Sequence, residues 1–177
     1  HRRESWGDPM REAMEAVREV ARLHPAVRWL VPMHRNPVVR SVISGALSDV
    51  ESVSLVEPLD YHTFCHAMAA ADLVLTDSGG VQEEAPSLGK PVLVMRDNTE
   101  RPEAVDAGTV RLVGTSRDTV RDALVELLTS AEARAEMARA VNPYGDGAAS
   151  TRSVAAIEHY FSLGQRLPDF VPAGSAR

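Results

Sequence analysis

The 177-residue chain has a single cysteine, Cys65, so no disulfide can form within it, and a reducing, cytoplasmic setting is expected. No basic-then-apolar leader opens it. Long apolar runs are missing as well: charges such as Asp72, Lys90 and Arg96 interrupt each hydrophobic segment well short of the roughly 18 residues of a membrane span. A soluble protein without a membrane partner is expected. Basic residues are in deficit, 19 Lys and Arg against 25 Asp and Glu, and the resulting formal charge of −6 repels a polyphosphate backbone. Nucleic acid is therefore not an expected partner. His62 and His66 lie four apart around Cys65, but no third cluster of ligands joins them at metal-site spacing, so neither a metal nor a cofactor is expected. There is no internal repeat or low-complexity tract. An initiator methionine is also missing, and His1-Arg2-Arg3-Glu4 reads as the start of a piece cut from a longer protein.

What is present fits one globular unit, at roughly 150 residues per domain. Five short runs rich in Val and Leu have the length and composition of buried strands: Val27 to Val31, Val53 to Val56, Leu73 to Thr76, Val92 to Met95 and Val110 to Val113. Between them lie helical patterns, most clearly Pro9 to Leu23, where Met10, Ala13, Met14, Val17, Val20 and Ala21 recur at spacings of three and four. Further helices are predicted over Val38 to Leu47, His62 to Ala71, Gly79 to Leu88, Thr119 to Leu128, Ala131 to Ala140 and Ser150 to Leu163. Strands alternating with helices imply right-handed crossovers and a parallel sheet with helices on both faces, the Rossmann-like α/β class. A body over residues 1–163 and a flexible tail over 164–177 are expected, the tail holding Pro168, Pro172 and Gly174 with little periodicity. Sheets of this class bind ligands outside the carboxyl ends of their strands, which directs attention to the loops after Val31, Val56, Thr76 and Met95.

The most informative of these loops follows Thr76 and reads Asp77-Ser78-Gly79-Gly80 before Val81-Gln82-Glu83-Glu84. Two glycines opening a helix let an anion approach main-chain N–H groups with no Cβ in the way, and Ser78 can add a hydroxyl. Glu84 is four residues beyond Gly80 and shares its helix face, so its carboxylate can accept from both hydroxyls of a ribose diol. A nucleoside diphosphate fits that arrangement. A tight strand-to-helix connection with acidic residues in the first turn accounts for the same spacing. Pro86 has no N–H to complete the ladder, so the helix should be short or bent.

After the next strand, Arg96-Asp97-Asn98-Thr99-Glu100-Arg101-Pro102-Glu103 forms a charged loop entering a helical turn near Pro102. Arg101 can fork onto a phosphate, with Glu100 or Glu103 holding its guanidinium; an exposed ion-pair cluster of little energetic value is the alternative. Phe64 can pack on a nucleobase or in the core. His34, after the first strand, can donate to a phosphate or sugar, or be a solvated loop histidine.

Six stretches in order resemble non-hydrolysing bacterial UDP-N-acetylglucosamine 2-epimerases: His1 to Glu4, His34-x-Asn36-Pro37, Glu57-Pro58-Leu59-Asp60-Tyr61, Thr76 to Lys90 (TDSGGVQEEAPSLGK), Arg96 to Glu103 (RDNTERPE) and Asn142 to Gly147 (NPYGDG). The resemblance runs from His1 to about Ile157. It implies one lobe of a GT-B-like fold, the C-terminal and UDP-binding lobe, with the N-terminal lobe absent. By position it places Ser78, Gly79 and Gly80 on the diphosphate, Glu84 on the ribose and Phe64 beside the uracil. Arg101 and His1 reach toward phosphates and sugar, with His1 as a catalytic candidate, and His34 is a further substrate-binding candidate. Family members often carry Gln where Leu59 stands. The last helix of the family crosses back onto the N-terminal lobe.

The resemblance also implies the reaction. UDP-GlcNAc loses its C2 proton and UDP by anti elimination, and UDP returns to give UDP-ManNAc after the proton is delivered to the opposite face. The family's proposed acids for proton removal belong to the N-terminal lobe, so this chain is expected to bind UDP without epimerising, within a homodimeric whole enzyme. The nucleotide-binding half of a GT-B glycosyltransferase, a hydrolysing epimerase and a non-catalytic UDP-sugar sensor share the same uridine chemistry.

Overall fold

Five apolar segments of three or four residues form the strands β1 (Trp29–Pro32), β2 (Val53–Val56), β3 (Val74–Thr76), β4 (Val92–Val94) and β5 (Val110–Leu112). Every pairing is parallel, as βαβ connections require, with Trp29 opposite Val53, Val74 opposite Val92 and Val92 opposite Val110. The ladders run in two groups, β1–β2 and β3–β4–β5, where a single sheet was expected. Strands this short leave few rungs, and among the described residues no ladder joins the two groups. The computed structural model describes residues 3–140 and 142–171, which fall into two compact units, His1–Ala140 and Val141–Arg177.

In the first unit the helices are α1 (Asp8–Leu23), α2 (Pro37–Leu47), α3 (Tyr61–Ala70), α4 (Val81–Ser87), α5 (Pro102–Asp106), α6 (Arg117–Thr129) and α7 (Ala131–Arg139), preceded by a 3₁₀ turn at Arg3–Ser5. Their starts follow from local chemistry. Asn36 accepts a hydrogen bond from the Val38 N–H at 2.9 Å with Pro37 in the first turn, and Asp60 accepts from the Thr63 N–H at 3.0 Å. The apolar stripe predicted for α1 is the face it buries, with Val17 and Val20 in one cluster with Leu47, Leu93, Leu124 and Leu127. Burying each such side chain contributes about 1.5–3 kcal/mol.

β4 shows why the sheet needs cover on both sides. Its three residues are all fully buried; Leu93 joins the α1–α6 cluster, so by strand alternation Val92 and Val94 face the opposite side, where α4 and α5 pack on β4 and β5. This is the expected α/β layering, and it delivers the loops after β3 and β4 to one end of the sheet. In the second unit α8 (Ala149–Tyr160) is the main element; Arg152 pairs with Asp146 at 2.7 Å, donates to the Pro168 carbonyl at 3.1 Å and lies over the Phe170 ring. Residues 164–168 and 169–171 carry no helix or strand, and residues 172–177 of the expected tail lie outside the described residues.

Candidate functional site

The β3–α4 turn is shaped from its own sequence. Thr76 ends β3, and its hydroxyl accepts from the Ser78 N–H at 3.1 Å, which folds the chain back over the strand end. Gly79 is buried and Gly80 exposed; Gly80 takes helical dihedrals (φ −63°, ψ −40°) and its carbonyl accepts from the Glu83 and Glu84 N–H groups at 3.0 Å. The main-chain N–H groups of Gly79, Gly80 and Val81 stand ahead of this ladder. A Cβ placed on Gly80 would lie 3.5 Å from Oε1 of Glu84, so the carboxylate does fold back over the glycine turn as the four-residue spacing predicts. α4 has seven residues and ends as Pro86 requires: the Lys90 N–H reaches the Ala85 carbonyl, and Gly89 supplies the left-handed cap at φ +66°.

The Arg96–Glu103 loop comes to the same place by a different route from the expected one. The guanidinium of Arg101 pairs through Nε with Glu83 on α4, and Nη1 donates to the main-chain carbonyl of Glu100 at 3.4 Å. Glu100 instead grips the buried Arg96 with two hydrogen bonds of 2.8 and 2.9 Å. Glu83, on the preceding helix, thus joins the residues expected to hold Arg101, because the loop folds across the α4 N-terminal turn. Between the two loops lies Gln82, fully buried, which donates from Nε2 to the Ser78 carbonyl at 3.1 Å and accepts from the Thr99 hydroxyl at 2.6 Å. Thr99 in turn accepts from the Arg101 N–H at 3.0 Å. Sequence reading passed over Gln82, Thr99 and the pairing role of Glu83. A neutral amide between Val81 and the acidic pair Glu83-Glu84 was the available signal.

On α3, the Tyr61 phenol is pushed up by a hydrogen bond with the Cys65 thiol and, to a lesser degree, by the field of Cys65 and the Glu84 carboxylate. Phe64, half-buried, sits on the same helix one turn from Tyr61. His34 stands in a separate group after β1: its Nδ1 accepts from the Asn36 N–H at 3.1 Å, which leaves the proton of the neutral ring on Nε2, and its carbonyl accepts from Arg40, which forks onto Glu57 at 2.7 and 2.6 Å. His1 lies outside the described residues, as does Arg2. His62 and His66 bring their Nε2 atoms to 3.3 Å, but two nitrogens fall short of the three or four protein ligands of a zinc centre, and no group of three candidate ligands gathers among the described residues.

A cleft of about 510 Å³ opens at the carboxyl ends of β4 and β5, between α1 and α6. Three carboxylates, Asp8, Glu12 and Asp97, face one guanidinium, Arg96, on its walls. That balance disfavours a pyrophosphate, and the Ser78–Gly80 turn, with main-chain N–H groups and a hydroxyl, is the better match to an anion on chemistry.

The sequence profile described as UDP-N-acetylglucosamine 2-epimerase matches residues 1–158. Among curated proteins, the "Probable UDP-N-acetylglucosamine 2-epimerase" of Ralstonia nicotianae is 56% identical over 162 residues, which cover 92% of this chain and 43% of the relative. Among solved structures, the S. aureus MnaA–UDP co-structure superposes with a TM-score of 0.93 at 44% identity, covering 97% of this chain and 47% of that one. The Neisseria meningitidis UDP-GlcNAc 2-epimerase bound to UDP-GlcNAc gives 0.86 at 45% identity, covering 90% and 43%. The chain thus spans less than half the length of these relatives.

Proposed function

Because the chain belongs to the UDP-N-acetylglucosamine 2-epimerase family, we propose that it is the uridine-nucleotide-binding lobe of a GT-B-like enzyme that interconverts UDP-GlcNAc and UDP-ManNAc. Ser78, Gly79 and Gly80 receive the diphosphate on main-chain and hydroxyl donors, Glu84 accepts from the ribose diol, and Phe64 lies against the uracil. Arg101 adds charge on the phosphate side, its guanidinium tethered through Nε to Glu83 of α4. His1 and His34 complete the ligand set toward the sugar, His1 with a catalytic part. The observation that carries this reading is the meeting of an acidic acceptor and anion donors within one helical turn: Glu84 folded over Gly80, with Arg101 tethered to the same helix.

The chemistry follows. The C2–H of the sugar is weakly acidic, so expulsion of UDP needs strong stabilisation of the departing pyrophosphate, which oriented N–H groups and a guanidinium provide. Proton removal needs a positioned base, which this reading assigns to residues outside the chain. The whole enzyme is read as a cytoplasmic homodimer. No described helix is long and apolar enough to cross a membrane.

Calorimetry with UDP on the chain and on Glu84→Ala and Arg101→Ala tests the site. Each substitution removes a charged hydrogen bond and should weaken binding by about 1.5–3 kcal/mol. Unchanged affinity in both variants rejects the assignment.

A further inference from the structure

We infer that Gln82 and Thr99 are positioning residues that lock the Ser78 turn and the Arg101 loop into one rigid anion cradle. This deepens the UDP-binding reading above and rests on it. Four groups form a chain of hydrogen bonds with a single direction. The Arg101 N–H donates to the Thr99 hydroxyl at 3.0 Å, the hydroxyl donates its one proton to Oε1 of Gln82 at 2.6 Å, and Nε2 of Gln82 donates to the Ser78 carbonyl at 3.1 Å. The direction is fixed at both ends. An amide N–H can only donate, so Thr99 must pass its proton onward; a carbonyl can only accept, so the Gln82 amide cannot be turned over without setting two oxygens against each other. Gln82 is fully buried, where an unsatisfied amide is costly, so the relay holds or fails as a unit.

Two chain segments 17 residues apart are thereby held in register, and both carry groups assigned to the pyrophosphate: Ser78 on one, Arg101 on the other. The surface pair between Arg101 and Glu83 fixes the guanidinium itself, but it is half-exposed and open to screening. The relay, anchored on the fully buried Gln82, fixes the main chain from which Arg101 projects. Preorganised donors gain effect because they need no reorganisation when the anion arrives, and loss of one link lets the two segments drift apart.

The test compares UDP binding, by calorimetry, to the unsubstituted chain, Thr99→Ser, Thr99→Val, Arg101→Ala and the Thr99→Val/Arg101→Ala double variant. Thr99→Ser keeps the hydroxyl and should bind as the parent does. Thr99→Val keeps the shape but ends the relay, and should bind about tenfold more weakly. If Thr99 acts through Arg101, the double variant should be no weaker than Arg101→Ala alone, a non-additivity that general loosening of the fold does not produce. Equal affinity of Thr99→Val and Thr99→Ser, or fully additive losses in the double variant, overturns the inference while leaving the UDP reading intact. Failure of the unsubstituted chain to bind UDP overturns both. Should Thr99→Val not fold, Gln82→Met takes its place: it fills the same volume without the amide and should show the same loss of affinity.

Discussion

Gly80 separates what the fold needs from what a ligand needs. Its dihedrals are those of any helical residue, it is exposed, and an added Cβ would meet Glu84 only at ordinary contact distance. Alanine should therefore be accepted structurally, and by restricting the unfolded chain it should stabilise by about 0.4–1 kcal/mol. On the proposed UDP site the methyl group would stand where the phosphate approaches the main chain. Gly80→Ala is expected to melt at or slightly above the parent temperature while UDP affinity, read by calorimetry, drops at least about tenfold. Full retention of affinity would show that no anion comes close to that amide. Few residues allow stability and binding to be moved in opposite directions by one methyl group, and this one does so because its glycine is not there for a left-handed turn, as Gly89 is at φ +66°.

Among the elements, α8 gives the clearest dependence on pH. The Asp146 carboxyl is held far below its ordinary value of 3.8, chiefly by its hydrogen-bonded pair with Arg152 and then by the Ala148 N–H. A carboxyl lowered in the folded state stabilises fully above its unfolded value, and the contribution is lost as pH falls below that value toward the folded one. Protection factors of the α8 amides should thus match at pH 7 and pH 5 and decline below about pH 4. Asp146→Asn should be less protected at neutral pH and should not show that decline; an equal decline in both proteins would mean that another group sets it. Element boundaries were largely legible in the sequence, and for stated reasons. Asn36-Pro37 and Asp60 mark helix starts, Pro86 shortens α4, and the 3.6-residue stripe of α1 reports its buried face. Partners were not legible. Periodicity tells which face of α4 is buried but not that Glu83 reaches a loop 18 residues on, nor that Gln82 meets Thr99; both depend on how the loop after β4 lies over a helix. The interruption between the β1–β2 and β3–β5 ladders was equally hidden, since run length and composition say nothing of lateral pairing.

For the molecule as a whole, the arrangement of charge around the candidate site argues for binding without turnover. Removing the C2 proton of a nucleotide sugar requires a base aimed at carbon, and a positioned base contributes about 10²–10⁴ in rate. The carboxylates gathered at this site are engaged otherwise: Glu83 with Arg101, Glu100 with Arg96, and Glu84 over the Gly80 turn where the ribose is assigned. On the proposed reading these groups hold the leaving group, the half of the chemistry that lowers the cost of expelling UDP. The 162 residues shared with the Ralstonia nicotianae relative are 43% of its length, so most of that protein has no counterpart here. The purified chain is accordingly expected to bind UDP and yet to show neither UDP-ManNAc formation from UDP-GlcNAc nor deuterium uptake at C2 in heavy water, both followed by proton NMR. The isotope measurement is the stricter of the two, because it registers proton abstraction even when the sugar returns unchanged. Uptake of deuterium by this chain alone, abolished by a substitution within it, would place the base among its own 177 residues and would require one of the paired carboxylates, or His1, to act at carbon.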